Sequence, residues 1–370
     1  MDRRNFLKRS GAATLGLGTA AALAANGAKA ADDAAALSAP SIVPRRRALR
    51  LVSLWSDSVS GPADHIHRLA RRIGAATDGR WVVEIDEMKA TGVDAFKTVM
   101  TGDADLYAGH EHAHRTLHPA FSYFAGLPCR TGIDIDHLNA WLAAAGGQEL
   151  WDALAGEFNM KGLVIGHSGT PHGLFTRSPV GTRTDLHAKR IAVTGLAAEV
   201  LEAVDARPVD GIIPSIAAMS DDDALDGVEL HGPTFATGHG QPGILHSSFP
   251  HRLSPGLSDT GHAITLGLRR SLWDGLALSE RIMLSALASE AFAASRADAM
   301  AHVRAFDKTH DTARNERTDL RAPRRDPVAD ELSHIAATIV ADLSGHDTHS
   351  ARINASYMVF KGHPHAPPTA

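Results

Sequence analysis

One cysteine, Cys129, occurs in 370 residues. A lone thiol excludes an intrachain disulfide and any multi-cysteine metal site. It does not assign a compartment, because an oxidising environment permits disulfides without requiring them. Excess charge of one sign is also missing. The chain has 37 Lys and Arg against 42 Asp and Glu, a net charge of −5 with histidine neutral. That balance, without a Lys/Arg-rich tract, gives no electrostatic case for nucleic acid or for a membrane surface. After the N-terminal segment no apolar run reaches the ~20 residues a membrane helix needs. Chemical signatures are missing too. Gly195 and its neighbours do not form a Gly-x-Gly-x-x-Gly fingerprint, and there is no Gly-Lys-Ser phosphate loop and no Gly-x-Ser-x-Gly elbow. Ser168 stands beside His167, but neighbours in sequence need not be partners in space. A nucleotide cofactor and a catalytic constellation are both unsupported, so the chain is read as a non-enzyme.

The N-terminus carries a different kind of information. Asp2-Arg3-Arg4-Asn5-Phe6-Leu7-Lys8 precedes a modest apolar stretch from Ala12 to Ala25 that is too short and too rich in Gly and Ala to span a membrane comfortably. This pattern predicts a twin-arginine export signal over residues 1–30, with cleavage after Ala28-Lys29-Ala30. Ala22-Leu23-Ala24 offers a second cleavage site, and an uncleaved anchor is the alternative reading. Export places the mature chain in the periplasm. Residues 31–47 read as a flexible leader ending in Arg45-Arg46-Arg47. What remains is long enough for two cores.

Histidine is abundant, at 22 residues, and clustered: His110, His112, His114 and His118, then His231, His239, His246 and His251. Metal or proton chemistry is one explanation, and drift at exposed sites is the other. If His110-Glu111-His112-Ala113-His114 is a strand, its three imidazoles share one face, a set that suits Zn²⁺ or Cu²⁺. The lining of a ligand pocket and an incidental loop are the competing readings. Asp221-Asp222-Asp223 reads as a solvated turn.

Apolar periodicity gives the organisation. Strands are expected at 49–55, 81–85 and 105–109, with helices at 63–77 and 92–100 between them. This alternation predicts a mostly parallel sheet covered by helices. A helical pair broken at Gly146-Gly147 follows over 138–158. Strands are then expected at 162–166, 174–177, 190–193 and 227–230, and helices at 196–204 and from Ser215. The pattern from Leu272 to about Phe306 is helical for over 30 residues, and a last helix covers about 327–343.

The sequence resembles the periplasmic solute receptors of tripartite ATP-independent periplasmic (TRAP) transporters, above all the branch that includes 2-oxo-acid receptors. The likeness runs from about Leu49 to Phe360. It rests on 70–79 (ARRIGAATDG), His118-Pro119-Ala120-Phe121, Leu138-Asn139-Ala140-Trp141-Leu142, Asp185-Leu186, 195–201 (GLAAEVL) and Glu229-Leu230-His231-Gly232-Pro233. The order and spacing of these pieces carry the match more than any one of them. The resemblance implies an α/β fold, a two-lobed periplasmic binding protein with a long helix spanning both lobes. Lobe I would comprise 48–170 plus about 230–272, and lobe II 171–229 plus about 273–362 with the bridging helix. The implied function is capture of a small organic acid or related solute for the membrane subunits of a transporter, with no chemistry on the solute. A periplasmic metal-binding protein using the His-rich cluster is one alternative. A degenerate receptor acting as a sensory or interaction partner is the other.

The resemblance also locates a ligand site, and there the chain departs from the branch. The arginine that pairs with the substrate carboxylate aligns with Ala192, and Arg190, two residues earlier on the same strand face, is the implied substitute. A family glutamine aligns with Pro171, followed by His172. Two cleft tyrosines align with His112 and His114. Of the family's Glu-Trp pair, Glu229 remains and Leu230 replaces the aromatic. The expected ligand residues are therefore Glu229, His112, His114, His172 and Arg190, with Glu229 also the candidate ligand of a bound cation. No other cofactor is implied.

Overall fold

The computed structural model describes residues 46–55, 57, 61–87, 92–169, 173–210, 225–229, 248–253, 255–258, 261–313 and 327–362. The expected export signal and nearly all of the leader, His172, and the helix expected from Ser215 lie outside the described residues.

The opening alternation forms as the periodicity requires. Strand β1 (Arg47–Ser53) pairs in parallel with β2 (Trp81–Glu87) and with β3 (Leu106–Gly109). Helix α1 (Pro62–Ala76) follows β1, with Pro62 in its first turn and the Asp64 carboxylate accepting from Gly61 N at 3.0 Å. Its Ile66, Leu69 and Ile73 form the buried stripe. Helix α2 is Gly92–Thr101. Helices α3 (Ile135–Ala144) and α4 (Gly147–Gly156) part at Gly146, which takes a left-handed conformation with φ 82°. Strand β4 (Met160–His167) then enters the same sheet.

The chain next builds a second sheet from β5 (Leu174–Thr176), β6 (Arg190–Val193), β7 (Arg207–Asp210), β8 (Gly227–Glu229) and β9 (His251–Leu253), in the order β7-β6-β8-β5-β9. Helix α5 (Leu196–Glu202) connects β6 to β7. Strand β10 (Ala263–Arg269) returns to the first sheet, whose order is β2-β1-β3-β10-β4, and runs antiparallel to both of its neighbours. The first sheet is thus mostly parallel, as expected, with β10 as its one reversed strand. Tyr107 lies flat over Gly267, where a Cβ would sit 1.8 Å from its ring.

Each sheet has its own apolar core. The first holds Phe124 stacked between Trp141 and Trp151, at 5.7 and 5.2 Å between ring centres. The second gathers Leu174, Ile191, Val200, Leu201 and Leu253. Two expectations about the lobes are corrected. The return to lobe I falls between Leu253 and Ala263 rather than near 230, because β9 pairs with β5. The segment 273–362 does not belong to lobe II as a block. The long helical pattern breaks at Gly275, giving α6 (Arg270–Asp274) and α7 (Leu278–Ala313), the latter capped where Glu280 accepts from Ala277 N at 2.9 Å. Leu284, Ala288, Ala291 and Phe292 of α7 all enter the first core. Helix α8 (Pro327–Ser344) joins the lobes. Its single stripe places Val328, Leu332 and Ala336 in the second core and Val340 and Leu343 in the first. Helix α9 (Thr348–Phe360) returns to the first lobe, where Tyr357 packs edge-on against Trp141 and accepts from Ile133 N at 2.9 Å.

Candidate functional site, a histidine group where the two lobes meet

Beyond Gly109 the chain leaves β3 and forms a 3₁₀ turn over Glu111–His114. The strand reading of this segment is corrected here, with a direct consequence. A 3₁₀ turn rotates ~120° per residue, so alternate residues cannot share a face. His110 caps the turn, and its Nδ1 lies 2.7 Å from the Ala263 carbonyl, which makes that nitrogen a donor. Trp55 packs edge-on at 5.0 Å, and burial pulls the ring down to about 4. His114 points into the first core against Phe96 and Tyr107, with ring centres 4.3 and 5.0 Å away, and burial takes it to about 3. His114 is fully buried, so the expectation that it lines a ligand site is corrected to a core position.

His112 alone turns toward the second lobe. Its Nε2 lies 2.5 Å from His262 Nδ1, a contact that requires one proton between the two rings. The other side of the ring faces Gly195, the residue before α5, which has φ 70°. A Cβ on Gly195 would stand 2.6 Å from His112 Nδ1. Glycine is therefore required twice, for the positive φ and for the close approach. Next to it, Leu196 inserts into the first core while Ala197, Ala198, Val200 and Leu201 stay in the second. Arg115 of the first lobe lies 3.6 Å from Glu199 of α5. Burial raises the Glu199 carboxyl and Arg115 opposes the shift.

His262 is held by the two segments that cross between the sheets. Its N donates to Ser168 Oγ at 2.8 Å, its carbonyl accepts from Ser168 N at 3.0 Å, and Ser168 Oγ donates to the Gly169 carbonyl at 3.0 Å. Ser168 is thus committed to backbone partners and is not poised as a nucleophile. His167 Nδ1 accepts from Gly169 N at 2.6 Å, and burial lowers its ring to about 4. Glu229 braces the far end of the same crossing. Its carboxylate accepts from Leu257 N at 2.6 Å, from Ser258 N at 3.0 Å and from Ser258 Oγ at 3.2 Å, and it is buried.

Below the turn, Glu111 is buried in a polar pocket of the first core. Tyr107 donates to it at 2.5 Å and Trp151 Nε1 at 3.3 Å, and His114 Nε2 lies 3.8 Å away. Burial raises the Glu111 carboxyl to about 7 against the two hydrogen bonds.

Of the expected ligand residues, His112 reaches the meeting of the lobes and Glu229 lies at the crossing. Arg190 does not reach the histidines. It opens β6, its Cα registers with Arg207, and its backbone N donates to Asp226 at 2.9 Å. Gly195 is five residues further along, roughly 16 Å at strand rise. Ala192, at the position of the family arginine, is buried. The sequence reading missed His262, Gly195 and the Arg115–Glu199 pair. His262 carries no local signal, because its partner His112 is 150 residues away. Among the described residues, one trio of donors has its ligand atoms within 4.8 Å of one another: His118, His346 and Asp347, away from this site.

No protein-family model matches the chain. Solved structures do. A TRAP periplasmic solute-binding protein from Pseudoalteromonas atlantica T6c, with bound sodium and pyruvate, shares 18% identity at a TM-score of 0.76 over 86% of this chain and 94% of its own. A TRAP solute-binding protein from Colwellia psychrerythraea, with bound calcium and pyruvate, shares 18% at 0.73 over 86% and 94%. A TRAP transporter solute-binding protein from Bordetella bronchiseptica RB50, with calcium and picolinate, shares 19% at 0.74 over 86% and 92%. The chain therefore has the two-lobed fold of these receptors.

Proposed function

We propose that a chain with this fold works as a TRAP-type solute receptor, binding a small organic acid between its lobes. The observation that carries the reading is the meeting of His112 from the first lobe with Gly195 at the start of α5 in the second. A solute that touches both lobes only when they are together favours the closed population, and membrane subunits that recognise the closed form receive it. The pyruvate and picolinate held by the structural neighbours make a small carboxylate the first ligand class to test. The N–H that the His112–His262 pair does not spend between its own rings would supply a polar contact, since no guanidinium stands at Ala192. The reading includes export by the twin-arginine route and a periplasmic location. None of the described helices is long and apolar enough to cross a membrane.

A thermal-shift screen over small mono- and dicarboxylates, each with and without Na⁺ or Ca²⁺, tests the ligand class. A ligand specific for the folded state raises the melting temperature in proportion to the logarithm of its concentration. The expected result is a concentration-dependent rise for at least one carboxylate. No rise for any acid at millimolar concentration would remove the proposal.

A further inference from the structure

The trio at the joint of α8 and α9 lies on the first lobe, away from the histidines that face the second. His118 precedes the 3₁₀ helix Pro119–Phe124, and its Nδ1 accepts from Ala120 N at 3.2 Å. Its Nε2 projects toward the turn after α8 and meets Asp347 Oδ2 at 2.7 Å. Asp347 caps α9, its Oδ1 accepting from Ser350 N at 2.7 Å. One carboxylate oxygen is thus tied to the backbone while the other faces His118. His346 stands edge-on to His118, with ring centres 5.3 Å apart, and His349 is a further imidazole at 6.4 Å.

We infer that His118, His346 and Asp347 form a divalent metal site, separate from any solute site, that accepts Zn²⁺ or a similar borderline ion such as Cu²⁺ or Ni²⁺. Two imidazoles and one carboxylate are a nitrogen-rich set that suits these ions and not Ca²⁺ or Mg²⁺. Three protein ligands leave a fourth position for water or for His349. Ligand atoms around tetrahedral zinc stand about 3.3 Å apart, given bonds of about 2.0–2.1 Å. The donors here lie within 4.8 Å of one another, so small side-chain rotations at an exposed turn bring them in. The carboxylate is already oriented by its bond from Ser350 N, the kind of support that real sites give their ligands. The metal would take the Nε2 lone pair of His118. The ring proton then moves to Nδ1, and the bond from Ala120 N is given up. Because the ligands come from His118, ahead of the Pro119–Phe124 helix, and from the α8–α9 turn, the ion would fasten the C-terminal helices to the first lobe.

The test uses the full chain, stripped with chelator, and Zn²⁺ alone as probe, with affinity read by competition against a chromophoric chelator. One tight site is expected, together with a higher melting temperature. His346→Ala should weaken it about tenfold or more, since losing even an outer partner of a ligand commonly costs 10–100-fold. Asp347→Asn should do the same while keeping a side chain able to cap α9. His137→Ala, a surface histidine paired with Asp134, should leave affinity unchanged. His346 is exposed and caps no helix, so its variant should fold. Unchanged zinc affinity in both site variants, or no stoichiometric zinc binding by the wild type, would overturn the inference.

Discussion

His112 and His114 are two residues apart, and a single 3₁₀ turn gives them opposite environments, the lobe interface for one and an aromatic core for the other. Alternation along a strand puts such a pair on one face, so the sequence pattern alone could not separate them. Gly195→Ala tests the contact on the second-lobe side. The backbone at φ 70° and ψ −149° lies in a region essentially confined to glycine and costs another residue about 1–3 kcal/mol, and the new methyl group also meets His112. Destabilisation in chemical denaturation should exceed the backbone cost alone and should shrink when His112→Ala is added. A coupling of roughly 1 kcal/mol between the two substitutions is expected, and strict additivity would mean that the rings and α5 do not touch. Glu111 gives a second prediction at this scale. Its folded value of about 7 lies above the ordinary 4.5, so the stability linked to it is full below 4.5 and is lost as pH rises through about 7. Glu111→Gln cannot titrate. The variant should therefore gain on the wild type between pH 5 and pH 8, by on the order of 2–3 kcal/mol, in urea titrations at several pH values. A difference that stays constant with pH would show that folding does not hold the Glu111 carboxyl above its unfolded value.

Elements with a strong internal period could be read from the sequence. The expected helix at 63–77 is α1, the break at Gly146-Gly147 separates α3 and α4, and the expected strand 190–193 is β6. The resemblance to a two-lobed receptor was also legible, although only in short pieces whose order mattered more than their length. Elements defined by distant partners were not readable. Strand β10 lies inside the first sheet between β3 and β4, yet its place depends on pairing with these two strands, which lie about 100 or more residues earlier. Glu229 looked like a ligand residue because the resemblance put it in a cleft, and its bonds to Leu257 and Ser258 depend on a return of the chain that no local pattern announces. Helix α8 was foreseen, but its role as the link between cores was not. Leu332 lies on its second-core half and is 1% exposed. Leu332→Ala should cost about 2–5 kcal/mol, as a leucine removed from a packed core does. Equilibrium denaturation checks this, and a loss under about 1 kcal/mol would mean that α8 does not pack as described.

Across the whole molecule, two sheets with separate cores are tied by the crossing segments at Ser168–His262, by the Glu229 brace and by α8. Such an arrangement gives each lobe its own rigidity and confines relative motion to a few connections, which a receptor that closes on a solute needs. The proposed receptor binds a small carboxylate between its lobes at His112. Calorimetric titration measures this most directly, using the acid with the largest thermal shift on the wild type and on His112→Ala. One carboxylate per chain is expected for the wild type, with an affinity at least about tenfold weaker for the variant, the loss of one hydrogen bond to a charged group. Absence of carboxylate binding to the wild type, or equal affinity in the two proteins, would contradict the proposal.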